Sequence, residues 1–281
     1  MTSDPFRLHH FSPPAGPVLL SVSHAGRDYA PAIISSLRVP LAATMPLEDR
    51  YADLLTEQAV AARIPTIIAA TPRLMIDLNR APDDLDPESV IGGFGRGNPA
   101  SAKARAGLGL VPTRLWGVGP LWRKALDPAE LAARIDAIHT PYHAAIAAAL
   151  GAAKRHFGCA LLIDLHSMPP IKEDNAPDVV IGDRFGSSAA TRITATAEAV
   201  LKNAGLRVAI NAPYAGGYII TRHSAPLAGI HALQIEVDRR LYLDAALDQP
   251  GAGLARVQRI IVMLIASLRD ELIGDVAAAA E

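Results

Sequence analysis

The feature that most constrains this chain is the alternation of short, β-branched apolar runs with longer segments of helical periodicity. "PVLLSVSH" at 17–24, "PTIIAA" at 65–70, "ALLIDLH" at 160–166, "DVVIGD" at 178–183, "RVAIN" at 207–211, "GYII" at 217–220 and "HALQIEV" at 231–237 read as strands. Each is short, rich in Val and Ile, and bounded by turn-forming or polar residues. Residues 48–63, 128–157, 187–203 and 254–273 place apolar side chains at i, i+3, i+4 and read as helices. The second of these opens on "LDPAE", with Asp127 at the N-cap, Pro128 at the first helical position and Glu130 in the first turn. Runs that are apolar throughout need cover on both faces. The pattern therefore predicts an α/β fold: a mixed, mostly parallel sheet with helices on both faces, in a single domain over 1–281.

Bulk properties exclude several classes of function. A formal net charge of −1 and a pI near 6.8 give no electrostatic footprint for nucleic acid or an anionic membrane. No apolar run reaches the ~20 residues a membrane-spanning helix needs, and the first residues lack the basic and apolar regions of a secretory signal. The single cysteine, Cys159, has no partner for an internal disulfide. These features predict a cytoplasmic protein whose partner is a small molecule. Residues 80–122, rich in Gly, Pro and small polar side chains, read as a long loop of the functional kind.

Ligands of open α/β sheets bind at the carboxyl ends of strands. Here those ends carry His24 and Asp28 in "SHAGRDY", Asp164, His166 and Ser167 in "IDLHS", and Glu236 in "QIEVD". "LMIDLNR" adds Asp77, Asn79 and Arg80 after the second run. A buried polar side chain is costly without a partner, so Asp164 and His166 at the end of an apolar strand require protein or metal beside them. Two histidines and a carboxylate with an open position are the inventory of a catalytic zinc site, and a further carboxylate could serve as general base. His139 and His143 in "HTPYH" share a helix face, but the sequence lacks the H-E-x-x-H arrangement of zincins. No G-x-S-x-G elbow and no phosphate loop ending in Gly-Lys-Ser/Thr is present.

Several segments together resemble one family. "SVSHAGRDY", "DRYADLL", "MIDLNRAP", "PYHAAI", "LLIDLHSMPP", "IGDRFGSS", "NAPYAGGYIITRH" and "HALQIEVDRRLYLD", spread between Val18 and Asp244, are similar to the N-formylglutamate amidohydrolases. That family looks like a distant relative of the zinc carboxypeptidases and aspartoacylase-type deacylases, which implies a fold of that kind. The resemblance implies one zinc or other divalent ion per chain, with His24 and His166 as ligands. Arg27 stands where the carboxypeptidase pattern has its glutamate, so the carboxylate ligand is expected from Asp53, with Asp28 as the alternative. Glu236 takes the place of the catalytic glutamate. Asn79 and Arg80 take that of the pair gripping a substrate carboxylate, with Arg80 also able to steady the oxyanion. His143, Arg222 and His223 are expected around the substrate, and Arg96 and Arg114 are further candidate cations. The implied reaction is hydrolysis of N-formyl-L-glutamate to glutamate and formate, in histidine degradation. Two alternatives are a zinc deacylase or peptidase for another N-acyl amino acid or short peptide, and a non-catalytic binding protein of the same fold.

Overall fold

The computed structural model describes residues 4–11, 14–86, 89–92 and 100–278. Its main sheet has seven strands: β1 (Phe6–His9), β2 (Val18–Val22), β3 (Thr66–Ala69), then β6 (Ala160–Met168), β7 (Val179–Gly182), β8 (Val208–Ile210) and β9 (Ile230–Asp238). Short strands β4 (Arg114–Leu115) and β5 (Gly119–Pro120) form a separate antiparallel ribbon. The order across the sheet is β1-β3-β2-β6-β9-β7-β8. β2 runs parallel to β3 and β6, β6 is parallel to β9, β7 is parallel to β8, and β7 lies antiparallel to β9. The predicted mixed, mostly parallel α/β sheet is thus present. Every residue of β2, β3, β6 and β7 is buried, as expected where both faces are covered.

The helices are α1 (Pro31–Ser36), α2 (Glu57–Ala61), α3 (Ala102–Arg105), α4 (Pro128–Arg134), α5 (Thr140–Phe157), α6 (Thr191–Asn203), α7 (Tyr218–His223) and α8 (Leu254–Ala278). The α4 start follows its sequence signature: Asp127 accepts a hydrogen bond from the Ala129 amide at 2.8 Å, with Pro128 in the first turn. A π-helical turn, Ile135–His139, joins α4 to α5.

Two expectations fail. "GYII" is the start of α7, because Ile219, Ile220 and His223 are its buried residues at a spacing a four-residue apolar run cannot distinguish from a strand. The continuous helix expected over 48–63 is broken. Glu48 is extended, Tyr51 takes a left-handed φ of 57°, and only a 3₁₀ turn (Leu54–Thr56) and α2 remain helical.

The chain divides into two compact units. One comprises Met1–Arg7, Ser23–Asp49 and Ala69–Ala144, and holds two apolar clusters. The first joins Ile76, Leu85, Val90, Leu110, Val111 and Leu131, and the second Ile33, Leu37, Leu47, Leu74 and Leu121. Much of the segment read as loop is therefore packed chain with its own core. The other unit comprises Leu8–Val22, Arg50–Ile68 and Ala145–Glu281, and includes β6, β7, β8 and β9 with α6 and α8.

Candidate active site

His24 lies two residues beyond the end of β2 and is 4% exposed. The chain then turns close against its neighbour. A Cβ on Gly26 would stand 2.1 Å from the Thr71 carbonyl oxygen, so only glycine fits. His24 Nε2 lies 2.7 Å from Asp77 Oδ1. Asp77 also accepts from Arg73 Nε at 2.8 Å and from the Asn79 amide at 2.8 Å, and its Oδ2 is 3.8 Å from Arg80 Nε. Burial works to raise its pKa, but the charges of Arg73, His24 and Arg80 and the His24 hydrogen bond outweigh it and hold the carboxyl well below the usual range. An ionised carboxylate only accepts, so His24 Nε2 donates, and in the neutral ring this puts the lone pair on Nδ1.

His166 repeats this device on β6. Its Nε2 is 2.8 Å from Asp164 Oδ2, while Asp164 Oδ1 accepts from Ser21 Oγ at 2.9 Å. Residues i and i+2 of a strand share a face, which is why Asp164 can reach His166. As with His24, a neutral ring whose Nε2 donates to a carboxylate carries its lone pair on Nδ1.

Three buried residues, His24, Asp49 and His166, offer ligand atoms that all lie within 4.8 Å of one another and could hold a metal ion. The donor set fits that use. Two donors bound about 2.0–2.2 Å from one ion at a tetrahedral angle stand roughly 3.3–3.6 Å apart, and His24 Nδ1 is 3.5 Å from Asp49 Oδ2. The Asp49 amide donates to the His24 carbonyl at 3.0 Å, tying the two residues together through the backbone as well.

The carboxylate in this group is Asp49, where the sequence reading named Asp53 or Asp28. Asp53 heads the 3₁₀ turn Leu54–Thr56, where its carbonyl accepts from the Thr56 amide and hydroxyl. Asp28 is exposed. The left-handed Tyr51 separates Asp49 from Asp53, and a sequence that reads as one helix does not announce that break.

Glu236 is 7% exposed on β9, where its Cα pairs with that of His166 across the parallel ladder. Its Oε1 accepts from Gln234 Nε2 at 2.7 Å. Asn79 and Arg80 are held by the histidines of the π turn and α5. His143 Nε2 bonds the Leu78 carbonyl at 3.0 Å and His139 Nε2 the Arg80 carbonyl at 2.9 Å, with the two rings 4.3 Å apart. Arg80 Nε is buried without a hydrogen-bond partner among the described residues. Arg222 is exposed on α7, donating to Tyr218 Oη at 3.0 Å, whereas His223 on the same helix is buried. Arg114 bonds Asp86 and the Arg105 carbonyl, and Arg96 lies outside the described residues. Sequence reasoning missed Asp49 and Gln234; the only signal was an acidic pair in "LEDRY" and an amide two residues before Glu236.

The family model for N-formylglutamate amidohydrolase matches residues 16–243. Two curated relatives named N-formylglutamate deformylase, from Pseudomonas aeruginosa and Pseudomonas putida, are 31% and 29% identical over 235 residues, covering 81% of this chain and 82% of each relative. A crystal structure of N-formylglutamate amidohydrolase from Ralstonia eutropha JMP134 superposes with a TM-score of 0.86 at 30% identity, covering 95% of this chain and 96% of the other. A gene product from Agrobacterium tumefaciens, 18% identical with a TM-score of 0.63 over 95% and 96% of the two chains, shares the fold. The motif resemblance, the matched span and the shared fold place the chain in the N-formylglutamate amidohydrolase family.

Proposed function

We propose that this protein is a metal-dependent amidohydrolase that converts N-formyl-L-glutamate to L-glutamate and formate, with His24, Asp49 and His166 holding the ion and Glu236 acting as general base. The observation that carries the reading is the buried His24, Asp49 and His166 group, with Glu236 the ladder partner of His166, in a chain of this family. Two imidazoles and one carboxylate are a donor set suited to zinc. When bound, such an ion supplies Lewis acidity, lowering the pKa of a coordinated water to about 7 and polarising a carbonyl.

The chain's own residues do the rest. Asp77 and Asp164 keep the two imidazoles in the tautomer that presents Nδ1. Glu236 takes a proton from the attacking water as its oxygen bonds to the formyl carbon. It passes that proton to the amine nitrogen as the C–N bond breaks, so one water is consumed and formate and glutamate leave. Arg80, held beside Asp77 by the backbone bonds of His139 and His143, offers a planar guanidinium to a substrate carboxylate, with Asn79 next to it. His223 and Arg222 on α7 complete our assignment of substrate-facing groups. We place the reaction in the cytoplasm, in histidine degradation.

The test measures glutamate release from N-formylglutamate and, in parallel, from N-acetylglutamate, before and after chelation. The expected result is turnover of the formyl substrate alone, lost on chelation and restored by zinc. Glu236→Gln should lower kcat by about 10²- to 10⁴-fold while metal content stays at its original level. Equal turnover of both substrates, or full activity without metal, would overturn the proposal.

A further inference from the structure

We propose that Gln234 is a positioning residue that fixes the Glu236 carboxylate in its proton-accepting orientation and ties it to the glycine-rich corner at 215–217. The inference rests on the assignment of Glu236 as general base. Gln234 is 5% exposed in the interior of β9, a place where an amide is costly unless both its ends are bonded. Both ends are. Its Nε2 donates to Glu236 Oε1 at 2.7 Å and its Oε1 accepts from the Gly217 amide at 2.8 Å. Only one orientation of the amide serves these partners, because a backbone N–H can only donate and a carboxylate only accept.

The anchor on the far side is itself pinned. Gly216 has a φ of +111°, a conformation open to glycine and little else. The Arg184 amide donates to the Ala215 carbonyl at 2.9 Å, and a Cβ on Gly182 would lie 2.7 Å from the Ala215 carbonyl carbon, so the corner seats directly on the end of β7. Gln234 therefore bridges a fixed amide and the carboxylate with a charge-assisted hydrogen bond, roughly twice as strong as a neutral one. Holding Oε1 sets the plane of the carboxylate and hence the direction of Oε2.

The neighbouring strand carries the same construction. Asp164 pairs with Gln234 and His166 with Glu236 in the β6–β9 register, so on each strand the residue at i orients the functional group at i+2. A merely structural glutamine would satisfy the Gly217 amide and leave catalysis indifferent to its loss.

The experiment compares Gln234→Met, which preserves volume and removes both bonds, with Gln234→Asn, which stays polar but is too short to span both partners. Both are made in the metal-loaded protein, alone and combined with Glu236→Gln, and assayed on N-formylglutamate. The expected result is a kcat lowered about 10- to 100-fold with KM within about threefold of the parent and metal content unchanged. Combined with Glu236→Gln, either substitution should add no further loss, because its effect runs through that carboxylate. Parental kcat in a folded Gln234→Asn variant, a loss confined to KM, or a loss that multiplies with that of Glu236→Gln overturns the inference. If Glu236→Gln alone keeps full turnover, the general-base assignment fails and the inference falls with it. An inactive Glu236→Gln beside fully active Gln234 variants removes the inference alone.

Discussion

His24 and His166 come from separate stretches of sequence yet are prepared in the same way, each with Nε2 committed to a buried carboxylate. Under the proposed function this makes the orienting carboxylates part of the metal site. Asp164→Asn is expected to weaken metal binding about 10- to 100-fold without removing a ligand, as a metal titration would show. The ligand assignment has its own test. Asp49→Ala should lose its ion under dialysis conditions in which Asp53→Ala retains a full complement by mass spectrometry. Retention by the Asp49 variant and loss by the Asp53 variant would reverse the assignment. At this scale the histidines and Glu236 were legible because each follows or ends an apolar run, where a polar residue stands out. Asp49 was not, because "LEDRYADLL" offers three acidic side chains and no local rule that selects among them.

At the scale of elements, the junction of α4 and α5 is the clearest case of a helix shaped for a site. A π turn inserts an extra residue into the helical repeat, and such turns recur at functional positions. Here it precedes α5 so that His139 and His143 bond the carbonyls of Arg80 and Leu78, on either side of Asn79. Tyr142 packs edge-on against His143 and Phe6 and is itself fully buried. His143→Phe keeps an aromatic ring but drops the bond to Leu78. It is expected to raise KM for N-formylglutamate about tenfold with a smaller change in kcat, and with helix content by circular dichroism unaltered. A parental KM would show that the histidine pair does not place Asn79 and Arg80. The strands β2, β3, β6, β7, β8 and β9 were readable from composition and length, as was the capped start of α4. β1, α1 and the helical nature of "GYII" were not, since four to six residues hold too little periodicity to decide.

For the molecule as a whole, acid sensitivity has a specific source beyond the candidate site. His231 on β9 is 5% exposed, its Nδ1 lacks a hydrogen-bond partner among the described residues, and burial lowers its pKa from 6.5, aided by Arg192 and Lys154 against the opposing Asp275. The folded protein therefore binds fewer protons at this residue than the unfolded chain once the pH drops below about 6.5, and stability falls as the pH falls through that range. In metal-free protein, His231→Gln should lose less stability between about pH 7.5 and 5.5 than the parent, read as the shift in urea midpoint. An equal shift would show that His231 titrates alike in both states.

By itself the sequence determined the alternation of strands and helices, the burial of the sheet, and the polar residues at strand ends, because hydrophobic periodicity and capping act over a few neighbours. The tertiary structure alone decided which carboxylate joins the histidines, which side chain holds Glu236, and what His139 and His143 grip. Those choices depend on distances across the β6–β9 register, on the left-handed turn at Tyr51, and on the π turn before α5, and no local pattern of residues encodes a distance between segments far apart in the chain.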